Sequence, residues 1–157
     1  MTICMQSIAT VRSRFTKSGA RMSRRDIVAE IVVREDLAVA LTGIEEWSHL
    51  IILFWMDQLA GKPDRLTTHP RHRADLPEVG VFCARGPERP NPIGLAVVEL
   101  LKRDKNVLTV KALDAYDGTP VLDIKPYDYY DYYDYYDAIT GFRVPEWWMI
   151  GTGRLTL

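Results

Sequence analysis

Between residues 85 and 92 no regular element can run, because Pro87, Pro90 and Pro92 fall within six residues with Gly86 beside the first. Each proline fixes its own φ and pushes the residue before it toward extended geometry. Gly80, Gly86 and Gly94 supply the turns that Cβ-bearing residues resist. The wider stretch, residues 79–95, therefore predicts a short strand over 79–84, a stiff loop, and a longer strand beginning near Gly94. Such a loop adds little to stability, but it holds Arg85, Arg89 and Asn91 in near-fixed positions, which is what a binding site gains from rigidity. A solvated connection between two strands would use the same residue types, so composition alone does not decide between the two.

The rest of the chain reads as short strands separated by turn signals. Residues 7–15 alternate apolar and polar, and Ile27, Ala29, Ile31 and Val33 mark one face of a clearer strand over 26–34. Residues 36–41 suit a short helical turn ended by Gly43. The continuous apolar run 49–56 reads as a strand buried on both faces. Residues 62–78, rich in Pro, His, Arg and Asp and without periodicity, read as a long loop, and long ordered loops are usually functional. Residues 94–102 and 106–113 suggest a hairpin closed around Arg103–Asn106, and 121–124 a further strand. Many short strands with little helix predict an all-β barrel or sandwich. No Gly-x-Gly-x-x-Gly follows a strand, so a Rossmann-type cofactor site is not expected.

At 157 residues the chain is the length of one domain with one sizeable core, and 1–157 is read as a single unit. Its 47% apolar and 26% charged content is that of an ordinary globular protein. No run approaches the ~18–20 apolar residues that cross a bilayer, and the N-terminus has no signal-peptide pattern, so the cytoplasm is the default. Cys4 and Cys83 are far apart and have no close His or Cys partners, giving neither a disulfide framework nor a metal signature. Net charge is only −1, but it is unevenly spread. Six basic and no acidic residues lie between 11 and 25, and Lys62, Arg65, Arg71 and Arg73 form a second basic stretch with His69 and His72 among them. Residues 114–137 carry seven aspartates against one lysine. Such asymmetry permits a local basic face for a polyanion. All eight tyrosines lie between 116 and 136, and residues 128–137 repeat Asp-Tyr-Tyr three times before Asp137. That period of three fits neither strand nor helix and reads as low-complexity sequence, with an aromatic contact surface as the functional alternative.

Three blocks, in order, resemble the TrmO (YaeB, TsaA-like) family. Residues 79–95 resemble its Gly-Val-Phe-Ala-Thr-Arg-Ser-x-x-Arg-Pro-Asn-Pro-Ile-Gly, with Cys83, Ala84 and Gly86 departing from it. Residues 114–127, Asp-Ala-Tyr-Asp-Gly-Thr-Pro-Val-Leu-Asp-Ile-Lys-Pro-Tyr, resemble its Asp-x-x-Asp-Gly-Thr-Pro-x-x-Asp-Ile-Lys-Pro-Tyr. Residues 43–50, Gly-Ile-Glu-Glu-Trp-Ser-His-Leu, are similar to a third family block. The resemblance implies a single-sheet β-barrel with short helical turns and long functional loops, in the short form that lacks an additional C-terminal domain. It implies an S-adenosyl-L-methionine-dependent methyltransferase acting on N6 of threonylcarbamoyladenosine beside the tRNA anticodon, working as a homodimer without a metal.

Carried over by position, the resemblance implies cofactor contacts from Arg85, to a carboxylate, and from Leu95, to the adenine. It adds the acidic turn of Asp114, Asp117, Gly118 and Thr119. Met56 and Asp57 stand where the family commonly has an aromatic–histidine pair, and 19–23 where an N-terminal cofactor loop sits. Arg89 and Asn91 are candidates for positioning the substrate, Asn91 because an amide reads a base edge as both donor and acceptor. Asp114 and Asp117 are the available bases. His49 reads as structural, held by a backbone carbonyl. Two other readings stay open: the same fold and cofactor acting on another acceptor, and a non-catalytic module in which the arginine–proline loop clamps a ligand.

Overall fold

The computed structural model of the chain describes residues 2–14, 23–59 and 66–127. They contain the strands β1 (Ala9–Ser13), β2 (Val28–Val33), β3 (His49–Trp55), β4 (Thr67–Thr68), β5 (Val79–Gly80), β6 (Ile93–Asp104), β7 (Val107–Lys111) and β8 (Pro120–Pro126), joined by short 3-10 turns. Two compact units are present, Met1–Lys62 with Asn91–Asp128 and Pro63–Pro90 with Tyr129–Leu157. In the first unit β1, β2, β7, β6, β3 and β8 pair antiparallel, in that order, and close into a barrel. The expected single-sheet β-barrel is what forms.

Closure follows from the alternation of side chains. Ala29, Ile31 and Val33 on β2, Leu50, Ile52 and Phe54 on β3, and Leu108 and Val110 on β7 all point into one core. Across β3 and β6 the inward pairs are Leu50 with Val98, Ile52 with Ala96 and Phe54 with Gly94. Each large side chain thus faces a progressively smaller one, and the narrow lumen is filled without a pore. Gly94 is the extreme case: a Cβ there would sit 2.3 Å from two ring carbons of Phe54. Register shifts at Leu53/Phe54 between β3 and β8, and at Leu100/Lys102 between β6 and β7, supply the curvature that six strands need.

Several boundaries differ from the sequence reading. The run 49–56 is not buried on both faces: Leu50, Ile52 and Phe54 are buried, whereas Ile51, Leu53 and Trp55 on the outer face are only half-covered. A barrel has one interior, so an apolar outer face gains no second layer from its own sheet. The expected strand over 79–84 stops at Gly80, and Val81–Cys83 form a 3-10 turn. Its ladder partner β4 is only two residues long, and the Arg89 guanidinium takes the carbonyls of Val81 and Ala84 that a longer strand would need. Within the expected loop 62–78 lie β4 and the 3-10 turn Pro70–His72. The helical turn expected over 36–41 is a 3-10 turn, Glu35–Leu41, followed by Gly43 at φ 82°. The hairpin is longer on its first arm, with Asp104 opposite Val107 and Lys105 at φ 56° in the turn. Residues 19–22 and the Asp-Tyr-Tyr repeat lie outside the described residues.

In the second unit β4 and β5 pair Thr67 with Gly80 and Thr68 with Val79. The segment between them is fixed from several sides. Pro70 and Leu76 are buried, and the His69 ring meets the Leu76 carbonyl at 2.9 Å. Thr67 Oγ1 donates to Glu78 Oε1 at 2.6 Å, and Arg73 pairs with Asp75.

Candidate functional site

The barrel registers bring the ends of β1, β3 and β7 and the beginnings of β2, β6 and β8 to one end of the first unit. Met56 and Asp57 follow β3 there, Asn91 precedes β6, and the segment 112–119 links β7 to β8. Candidates from three separate stretches of sequence therefore share one barrel end. Met56 packs on the core and its N–H donates to the Pro92 carbonyl at 2.8 Å, tying the departing and returning strands together. Asp57 is exposed in the turn Asp57–Leu59. The Asn91 side chain is exposed and makes no hydrogen bond among the described residues, while its carbonyl accepts from Ile93 N–H at 2.7 Å.

The acidic turn is held by its own backbone. Gly118 N–H donates to the Val11 carbonyl at 2.8 Å, and Val11 N–H donates to the Thr119 carbonyl at 2.9 Å. Asp117 Oδ1 accepts from Ser13 N–H at 3.0 Å. Asp117 thus closes the end of β1, leaving its second carboxylate oxygen for other partners. Gly118 takes φ 81°, a conformation that favours glycine, and the space a Cβ would enter is open. Thr119 is the one buried polar residue among those described, at 3% exposure, and Asp114 is half-buried. Ala112, two residues earlier, is held at φ 74° by its N–H bond to the Ile27 carbonyl. A Cβ-bearing residue in that region is strained, and such strain gathers at functional sites.

Leu95 lies on the outer face of β6, 54% exposed, alongside Ile93, Val97 and Leu101. With Ile51, Leu53 and Trp55 opposite on β3, they make an apolar outer surface. The sequence pattern missed this surface, because its residues interleave with core residues and merge with them into one hydrophobic run.

Arg85 and Arg89 belong to the second unit and differ sharply. Arg85 is exposed and its guanidinium pairs with no described residue. Arg89 is half-buried, and its Nη1 donates to the carbonyls of Ala84 at 2.8 Å, Val81 at 3.2 Å and Gly86 at 3.5 Å. One nitrogen shared among three carbonyls makes Arg89 the clamp of its loop, and the rest of the fork makes no hydrogen bond among the described residues. His49 Nδ1 meets Ser48 Oγ at 3.0 Å rather than the backbone carbonyl expected, and its ring tilts against Tyr127. Among the described residues no three of His, Cys, Asp and Glu are grouped to hold a metal ion. No described helix is long and apolar enough to cross a membrane.

Residues 11–135 match the family described as the tRNA-methyltransferase O N-terminal domain. The chain belongs to the TrmO family. A relative from Archaeoglobus fulgidus, named an S-adenosyl-L-methionine-binding protein, is 44% identical over 126 residues, spanning 78% of this chain and 88% of its own length. The Escherichia coli tRNA (adenine(37)-N6)-methyltransferase is 44% identical over 132 residues, spanning 78% of this chain and 56% of its own. Among solved structures, TrmO from Pseudomonas aeruginosa superposes with a TM-score of 0.67 at 32% identity, covering 91% of this chain and 61% of that one. The chain therefore spans little more than half of the longer TrmO proteins and most of the short archaeal relative.

Proposed function

We propose that the chain binds S-adenosyl-L-methionine and methylates an adenosine of tRNA, at N6 of threonylcarbamoyladenosine beside the anticodon. The observation that carries this reading is the convergence of Met56–Asp57, Asn91 and the 114–119 turn on one barrel end in a TrmO-family chain. The names of the Archaeoglobus and Escherichia relatives support the cofactor and the reaction class respectively.

The residues present suit that cofactor. Asp114 and the second oxygen of Asp117 offer acceptors for ribose hydroxyls or an ammonium group, and the open space beside Gly118 leaves backbone within reach of a ligand. Arg85, exposed and pairing with no described residue, offers a planar donor fork that suits a carboxylate. Leu95 offers an apolar contact for a purine. The cofactor supplies an electrophilic methyl group on a sulfonium, so the chain has two tasks. It holds the acceptor nitrogen in line with that methyl, and it takes the proton that the nitrogen loses. Asn91 is the residue proposed to orient a base edge, and Asp114 and Asp117 are the carboxylates proposed as proton acceptors.

Titration of S-adenosyl-L-methionine into the purified chain tests the cofactor, with Arg85→Ala expected to weaken binding while leaving thermal unfolding unchanged. Methylation of tRNA bearing or lacking threonylcarbamoyladenosine tests the acceptor, and transfer to neither form overturns it. A second reading, a binding protein without transfer activity, is favoured by the name of the short Archaeoglobus relative, of which 88% is matched. A third keeps the fold and cofactor and changes the acceptor, and labelled total RNA and small-molecule extracts separate it. The proposal includes a homodimer, supported by the apolar outer face of β3 and β6, and a cytoplasmic location. A monomeric mass by light scattering refutes the dimer.

A further inference from the structure

The 3-10 turn Val81–Cys83 divides its side chains sharply, burying Val81 to 3% exposure and leaving Phe82 77% exposed. A phenyl ring in water does nothing for the core of its unit and carries an association hazard, so its presence calls for a use. Phe82 also differs from the other exposed apolar residues. The guanidinium of Arg89 lies over its ring, 5.8 Å from the centroid, and Arg89 is itself fixed by the carbonyls of Val81, Ala84 and Gly86. The ring is therefore backed on one face by an immobilised cation and open to water on the other. Val39 and Ile3 are as exposed but offer no π face, and Trp47, 40% exposed, has no cation of a described residue over it.

We propose that Phe82 is a stacking platform for one unpaired nucleobase of the RNA substrate, with Arg89 as the cation behind it. An aromatic face accepts a base edge-free and sequence-tolerantly, and single-stranded loops are the form in which RNA offers its bases to protein side chains. The arginine adds a positive charge beside a ligand whose backbone is anionic. Phe82 in this role is a positioning residue: it holds the base and leaves the choice of reacting atom to other groups. The inference rests on the RNA reading above and extends it to a contact that neither the cofactor nor the methyl group requires.

The test compares the full chain with its Phe82→Leu and Phe82→Trp variants for binding of a fluorescently labelled single-stranded oligoadenylate. S-adenosyl-L-methionine titration and thermal unfolding are run in parallel. Leucine keeps the apolar bulk and loses the π face, so affinity for the oligonucleotide falls roughly 5- to 150-fold, the range that stacking of one base accounts for. Tryptophan holds or raises that affinity, and both variants keep the cofactor affinity and the melting temperature of the parent. Loss in both variants, or in neither, overturns the proposal while the RNA reading stands. A parent chain that binds no RNA takes both down together. A Phe82→Leu particle with half the parent's mass shows the ring to be buried between two copies and also overturns it.

Discussion

Replacing Gly94 by alanine adds a single methyl group, and the geometry gives the direction of its effect. The new Cβ would sit 2.3 Å from both Cε2 and Cζ of Phe54 and 2.8 Å from Cδ2. Carbon atoms at rest lie about 3.5–4.0 Å apart, so the ring has to retreat by more than about 1 Å. Phe54 is 6% exposed and packed inside a closed barrel, which leaves it little room. Overpacking of this kind costs about 1–3 kcal/mol, and three ring contacts at once point to the upper part of that range. Alanine recovers about 0.5–1 kcal/mol because glycine loses more backbone freedom in a strand. The expected net loss is about 2 kcal/mol, or about 4–8 °C in melting temperature for a chain of this length. Reversible urea unfolding gives the free energy, and Phe54→Leu completes a double-mutant cycle. Leucine removes the two nearest ring atoms, so the double variant is expected to be more stable than additivity allows by at least about 1 kcal/mol. A Gly94→Ala chain as stable as the parent, or an additive cycle, refutes the close approach of ring and strand.

Arg89→Ala releases the carbonyls of Val81, Ala84 and Gly86, and faster amide exchange confined to residues 81–90 is expected, with the barrel amides unchanged. Asp117→Ala removes the acceptor of Ser13 N–H, and a loss of about 1 kcal/mol in urea unfolding is expected at neutral pH. Arg34 holds Asp36 below the ordinary carboxylate range by hydrogen bonding, Arg73 does the same for Asp75, and Glu45 is lowered first by a backbone hydrogen bond and then by Arg103. A depressed folded-state pKa contributes stability that is present above the unfolded value and lost as the pH falls through the folded one. Unfolding midpoints are therefore expected to hold from neutral pH down to the ordinary carboxylate range and to fall below it. All three carboxylates are solvent-exposed, so the fall is shallow and weakens further in high salt.

Much of this architecture is local and shows in the pattern of residues. Ile27, Ala29, Ile31 and Val33 alternate because one face of β2 meets the core and the other meets water. Gly43 shows its turn because only the left-handed region serves there. The alternation disappears along 49–56, where the outer residues of β3 are as apolar as the inner ones and the period of two is lost. The end of β5 is set by Arg89, eight residues beyond Val81, through a contact between side chain and backbone that no local window contains. Phe82 stands just beyond that end, exposed while its neighbour Val81 is buried. The motif residues at 56–57, 91 and 114–119 are legible one block at a time. Their meeting at one end depends on the register between β1 and β8, where Ala9 faces Val121 and Thr10 faces Pro120. That register is a property of closure, not of any one stretch of sequence.

The hydrogen bond from Met56 to Pro92 closes the base of the excursion between β3 and β6. β3 and β6 pair along seven residues, from His49 opposite Glu99 to Trp55 opposite Ile93, and the Met56 bond fastens the point where the chain departs and comes back. The stretch between is an insertion whose two ends are already stapled together by the barrel. Lengthening or rewriting it then costs little, since doubling a closed loop adds only about 0.6 kcal/mol of closure entropy. The excursion can therefore change in length while the strands that carry it keep their register.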